Sequence, residues 1–126
     1  MKSKSKMASG LAMICLALGI AGAGCKEVFQ KSLDRVTVAL SAPGDNVISD
    51  STIQVFWWQP VDTSISYELQ IVTPRFDSVV SLVVDTTTGA NILSLTLVPA
   101  QYQWRVRAFN TVSTSAFSAP WTFTIN

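Results

Sequence analysis

The 126 residues contain no histidine. That removes the side chain most often used as a general base near neutral pH, and the commonest imidazole ligand for a metal. Cysteine is nearly absent as well, with Cys15 and Cys25 as its two occurrences. No disulfide framework or multi-cysteine metal site can be built from such a pair. Charge is sparse, at 13% of residues, and close to balance at +1. No cluster of lysine and arginine of the kind that neutralises phosphates is present, so a nucleic-acid partner is not expected. A run of helix-period apolar residues is also lacking after residue 35, which argues against helices in the main body. The aspartates Asp45, Asp50, Asp62, Asp77 and Asp85 stand singly among turn formers. They form no D-x-D-x-D-like loop and read as turn chemistry, not as a calcium site. No cofactor and no catalytic residue are expected, and the chain reads as non-enzymatic.

What is present begins with a three-part leader. Lys2, Lys4 and Lys6 precede an apolar run from Leu11 to Ala21, which is followed by Gly22, Ala23 and Gly24. A basic head, an apolar middle of about 7–15 residues and a small-residue exit make a secretory signal. The run falls short of the roughly 20 apolar residues that span a bilayer. Cys25 comes next and, once residues 1–24 leave, is the one cysteine remaining. The segment resembles a bacterial lipoprotein signal, in which a cysteine behind small residues is lipidated and becomes the new N-terminus. That resemblance implies a lipid on Cys25, attachment to a membrane, and an address at the outer membrane or cell surface of a Gram-negative bacterium. Gly22 departs from the pattern, which commonly has Leu, Val or Ile there. The other reading is ordinary cleavage after Ala23, which leaves a secreted or periplasmic protein with a free thiol. Without Lys2, Lys4 and Lys6 the chain carries six basic residues against eight acidic ones. Residues 25–35 are polar and mixed in charge and read as a tether, leaving 36–126 as the domain.

Strand-sized runs divided by turn formers fill that domain. They are Val36–Ala42, Thr52–Trp58, Ile65–Thr73, Val79–Asp85, Ile92–Val98, Tyr102–Asn110 and Ala119–Ile125. The most regular is Tyr102-Gln-Trp-Arg-Val-Arg-Ala108, with Tyr102, Trp104, Val106 and Ala108 on one face and Gln103, Arg105 and Arg107 on the other. Such alternation places one face in a core and the other in water. Burial of Trp104 removes about 200 Å² from water, about 5 kcal/mol before the cost of ordering it. Seven short strands with regularly spaced turns predict an all-β, seven-strand antiparallel β-sandwich. The expected core is Trp58, Tyr67, Leu69, Ile71, Leu95, Leu97, Trp104, Val106, Phe123 and Ile125.

Trp58-Gln-Pro60, Tyr67-Glu-Leu-Gln-Ile71 and Leu97-Val-Pro-Ala-Gln-Tyr102-Gln-Trp-Arg-Val-Arg-Ala108-Phe-Asn110 resemble a fibronectin type III domain. Trp58, Tyr67, Leu97, Tyr102, Ala108 and Asn110 stand where that family has its characteristic residues. The resemblance implies one sheet of the first, second and fifth strands and another of the remaining four. It also implies a Tyr102 hydroxyl bonded back to nearby backbone. A glycine often found between the leucine and that tyrosine is replaced by Ala100 and Gln101, which puts the shape of that turn in question.

Phe56-Trp57-Trp58 sets a conflict, because a strand buries only alternate residues. Motif spacing puts Trp58 inside and Trp57 outside, whereas alternation from Ile53 and Val55 puts Trp57 inside. A β-bulge near Phe56 would reconcile the two. The first assignment is preferred, which makes Trp57 a candidate contact for a glycan or another envelope protein. Phe109, at the end of a polar face formed by Arg105, Arg107, Glu68 and Gln70, is a second candidate contact. The function expected is thus a lipid-anchored binding or adhesion module. The alternative is a structural or spacer subunit of an envelope or polysaccharide-uptake assembly, with no small-molecule ligand.

Overall fold

In the computed structural model, residues 32–64 and 66–126 are described. The leader over residues 1–24, the lipid-site candidate Cys25, the tether as far as Lys31, and Ile65 lie outside them. The described chain is all-β. Its strands are β1 (Leu40–Ala42), β2 (Val47–Ser49), β3 (Ile53–Trp58), β4 (Ser66–Arg75), β5 (Ser78–Thr88), β6 (Ile92–Thr96), β7 (Ala100–Phe109) and β8 (Trp121–Ile125). They form a three-stranded sheet in the order β1-β3-β6 and a five-stranded sheet in the order β2-β8-β7-β4-β5.

The strand count exceeds the expected seven by β2, which follows the turn at Pro43-Gly44-Asp45-Asn46. Asn46 takes a left-handed conformation there, with φ of 65°. After that turn the chain leaves the three-stranded sheet and lies parallel to β8, with Val47 opposite Phe123 and Ser49 opposite Ile125. Three residues without alternation left no period for the sequence reading to detect. The other pairings are antiparallel, including β4 with β7 from Ser66↔Phe109 to Val72↔Gln103.

The two inner faces meet in an aromatic core. Phe56 and Trp58 come from the three-stranded sheet; Tyr67, Tyr102, Trp104 and Phe123 come from the five-stranded one. Every expected core residue is buried except Leu95, which is partly buried against the rest. The Trp104 indole N–H donates to Pro43 O at 3.2 Å, which ties the first turn to the centre. Leu33 is also buried in this cluster, and its N–H donates to the Ser113 hydroxyl at 2.7 Å. The packed unit therefore begins at Ser32 and not at Val36, because one apolar side chain in the polar segment finds a place in the core.

β3 settles the tryptophan conflict. Its burial alternates strictly, with Gln54, Phe56 and Trp58 inward and Ile53, Val55 and Trp57 outward. Pairing with β6 is uninterrupted from Ile53↔Thr96 to Trp57↔Ile92. No bulge near Phe56 is needed, since Ile53 and Val55 face outward. The irregularity lies instead on the neighbouring strand, between Leu40 and Ala42. Gln54 is tolerated inside because its amide donates to Ser49 Oγ and Ser51 O, at 3.1 and 2.8 Å.

Tyr102 makes the expected corner, its hydroxyl donating to Val98 O at 2.5 Å without a glycine in the turn. Burial raises the Tyr102 pKa above its ordinary value. A phenol whose folded pKa lies above its unfolded value contributes stability below the unfolded value, lost as pH rises through the folded one. Stability should therefore fall from about pH 10 upward. Tyr102→Phe should lower stability at neutral pH by about 1 kcal/mol and flatten that alkaline fall. Urea midpoints of parent and variant at pH 7 and at higher pH test both effects.

Candidate functional site

The described residues enclose no pocket, and no group of three or more acidic, cysteine or histidine side chains among them could hold a metal ion. What the domain presents are faces and edges. The two outer sheet faces differ sharply.

On the five-stranded sheet the outer face is polar and closed on itself. Arg105 lies opposite Gln70, and Arg107 opposite Glu68. Arg105 donates through Nε and Nη2 to Gln70 Oε1, at 3.0 and 2.8 Å. Arg107 Nη2 lies 2.7 Å from Glu68 Oε1. The Arg105 guanidinium sits between two rings, 4.1 Å from the centroid of Phe76 and 4.2 Å from that of Phe117. Arg107 shares the Phe117 ring at 4.4 Å. Burial, and then the neighbouring Arg107 charge, lowers the Arg105 pKa from its ordinary value, against the pull of Glu68 and Asp85. Phe109 is half-buried at the end of this face, opposite Ser66 and bridged to Thr114.

Phe117 was not anticipated from sequence. It is placed by Ser115 and Ser118, each of which pairs twice with β7. Ser115 N–H donates to Ala108 O at 2.8 Å, while Ala108 N–H donates to Ser115 Oγ at 2.9 Å. Ser118 N–H and Val106 O, and Val106 N–H and Ser118 Oγ, repeat the arrangement at 2.9 and 3.1 Å. The readable signal was the spacing Ser115-x-Phe117-Ser118, which carries no strand period.

The three-stranded sheet is the opposite case. Its strands Leu40–Ala42, Ile53–Trp58 and Ile92–Thr96 carry no charged residue. Ile53 is 60% exposed, Val55 45%, Trp57 41% and Ile92 55%. Trp57 lies beside Ile92 on one neighbour and Ala42 on the other; Val55 lies beside Ser94, and Ile53 beside Thr96. The result is a contiguous aliphatic stripe ending in an indole, bordered by small hydroxyls. Contiguous apolar exposure of this kind marks interaction surfaces, whereas scattered single residues do not. Trp57 and Phe109, the two contact candidates from sequence, lie on different sheets and do not form one site.

The aromatic–guanidinium stack fastens residues 115–118 to β7, so it should be measurable as coupling. In a double-mutant cycle, Arg105→Ala and Phe117→Ala should couple by about 0.5–2 kcal/mol, read from urea unfolding of the four proteins. Additive effects would mean that the stack contributes nothing beyond packing.

No protein-family model matches the sequence, and no curated protein matches it. Solved structures do match in fold. One is the solution structure of a fibronectin type III domain derived from the human KIAA0970 protein, with a TM-score of 0.51 and 16% identity, covering 86% of this chain and 85% of that one. Another is the solution structure of the fibronectin type III domain of human fibronectin type III domain containing protein 3, with a TM-score of 0.50 and 18% identity, covering 75% and 89%. Two sheets, a buried Trp58 and a Tyr102 corner agree with these similarities, and the described domain has the fibronectin type III fold.

Proposed function

We propose that this chain is a lipid-anchored, non-enzymatic binding module of a Gram-negative envelope, which takes another envelope protein on the outer face of its three-stranded sheet. The observation that carries the reading is the uncharged stripe of Ile53, Val55, Trp57 and Ile92. Trp57 is the anchor, since a large aromatic that stays half-exposed in the free domain gains most when a partner covers it. A protein is favoured over a glycan by what surrounds the indole. Sugar sites combine an aromatic platform with converging hydrogen-bond groups. Here the indole's cross-strand neighbours are Ile92 and Ala42, Ser94 lies one pair further along, and the Gln59 amide already donates to Ser41 Oγ at 3.1 Å. Anchoring rests on Cys25 behind the leader. A diacylglyceryl group there, at about 0.8 kcal/mol per buried CH₂, gives stable attachment where one myristoyl chain is reversible.

Trp57→Ser should change the stability of the domain by no more than about 1 kcal/mol, since the ring contributes little to the core. The same variant should abolish a discrete photo-cross-linked adduct formed in cells from a probe at Ile92. Glycan-array binding that depends on Trp57, with no protein adduct, would replace the protein partner by a sugar.

The anchor is tested separately. With radiolabelled palmitate, the parent should be labelled and sediment with membranes, and Cys25→Ala should be unlabelled. An unlabelled parent beginning at Gly24 would establish ordinary secretion.

A further inference from the structure

A second feature stands on the sheet opposite the Trp57 stripe and does not rest on that reading. The Arg105 guanidinium lies against the rings of Phe76 and Phe117, and Arg107 against that of Phe117. Arg105 is thus held in place before any ligand arrives, and little side-chain freedom remains to be lost on binding.

Its hydrogen bonds are confined to one edge. Nε and Nη2 both donate to Gln70 Oε1, at 3.0 and 2.8 Å. Among the described residues nothing accepts from Nη1. Nη1 is not sealed off either, because Trp58 Nε1 is the one buried side-chain N or O atom without a partner among those residues. The end of the guanidinium formed by Nη1 and the second N–H of Nη2 is therefore left to water.

The charge of Arg105 is also met differently from its neighbours. Arg107 lies 2.7 Å from a carboxylate oxygen of Glu68, and Arg75 lies 3.1 Å from one of Asp77. Arg105 instead meets the neutral carbonyl of Gln70, and burial pulls its pKa below the ordinary value. A partly desolvated cation bonded to an amide gains more from an incoming anion than one already paired.

We propose that the open end of Arg105 is a recognition point for a single carboxylate borne on an apolar group.

The two N–H groups at that end match the two oxygens of a carboxylate, which a guanidinium takes as a bidentate fork. One negative charge suits the place better than two. Glu68 and Asp85 act on Arg105 through their charges, and they repel any anion set beside it, a dianion twice as strongly. The carrier follows from the rings. Phe76 and Phe117 are both part-exposed and offer hydrocarbon to whatever bears the carboxylate. A protein laid across this whole face would have to break the bonds to Gln70 and Glu68. One carboxylate meeting Arg105 end-on leaves both in place. Two carriers have this chemistry: the C-terminus of a peptide ending in an apolar residue, and a free aryl or alkyl acid.

The test uses the chain from Lys26 to Asn126, which contains the whole packed unit Ser32–Asn126. The Arg105 guanidinium and Phe117 backbone amide signals are followed by heteronuclear NMR. The titrants are N-acetyl-phenylalanine, its neutral amide, phenylacetate and inorganic phosphate. Both acids should shift the signals saturably, with midpoints of roughly millimolar, and the amide should not. Phosphate should bind about tenfold more weakly than either acid. Tighter binding of N-acetyl-phenylalanine assigns the site to a peptide terminus, and tighter binding of phenylacetate to a free acid. Arg105→Lys keeps the charge and loses the fork, so the folded variant should bind the acids about tenfold more weakly. Asp85→Asn keeps an acceptor for the Gln70 amide and removes a repelling charge. It should tighten binding about twofold to threefold, and it keeps the site testable if the lysine variant does not fold. Equal shifts from acid and amide, phosphate binding as tight as the acids, unchanged affinity in folded Arg105→Lys, or no tightening in Asp85→Asn would each overturn the proposal.

Discussion

Edge-to-face contact between aromatic rings from the two sheets is the interaction on which the rest of this domain depends. Phe56 meets Trp104 at 5.1 Å and Phe123 at 5.6 Å, and Trp58 meets Tyr67 at 5.4 Å. Each of these contacts joins a residue of the three-stranded sheet to one of the five-stranded sheet. Tyr102 and Phe123 add a stacked pair on the five-stranded side, 5.1 Å apart. Such pairs contribute about 0.5–1.5 kcal/mol beyond their burial, and their angular preference fixes how one sheet sits over the other. Because Phe56 and Trp58 must both point inward, Trp57 between them must point outward. The exposed indole is thus a consequence of the core's own geometry.

Most of the fold was legible because most strands alternate cleanly. β7, β8 and β4 declare their buried faces through Trp104, Phe123 and Leu69, and the motif around Leu97 and Tyr102 places the corner. β3 gave two conflicting readings for a physical reason. Alternation identifies a buried face only when the outer face is polar, and here Ile53 and Val55 are apolar on the outside while Gln54 is held inside by Ser49 and Ser51. β2 was too short for any period, and Leu33 is a single apolar residue in a polar segment. The Phe76–Arg105–Phe117 stack was hidden because its parts come from three separate segments, brought together by serine–backbone pairs that no periodicity encodes. The candidate surface was half legible: Trp57 followed from the motif, while the alternation of Ile53 and Val55 pointed those two neighbours inward.

The two outer faces divide the chemistry of the surface. Arg105 and Arg107 are hydrogen-bonded to Gln70 and Glu68, Arg105 lies against the rings of Phe76 and Phe117, and Arg107 lies against that of Phe117. A partner docking there would have to displace contacts already made. The stripe on β3 and β6 has no such internal satisfaction, so covering it removes apolar area from water with little polar desolvation to offset.

The short β2 strand bears on how the domain responds to tension. Leu33 is bonded to Ser113 near one end of β7, and Asn126 N–H donates to Ser49 O near the other, so the described chain begins and finishes at opposite ends of the sandwich, about 30 Å apart at strand rise. Between those points β2 and β8 run parallel, held by the Val47–Ser49 pairing, by Asn46 N–H on Thr122 O at 2.6 Å and by that last bond at Asn126. A pull on the two termini drags these strands past one another lengthwise. The cross-strand bonds are then loaded in shear, all together, instead of being peeled apart in sequence. A three-residue strand with no period in the sequence thereby becomes the mechanical clasp of the domain.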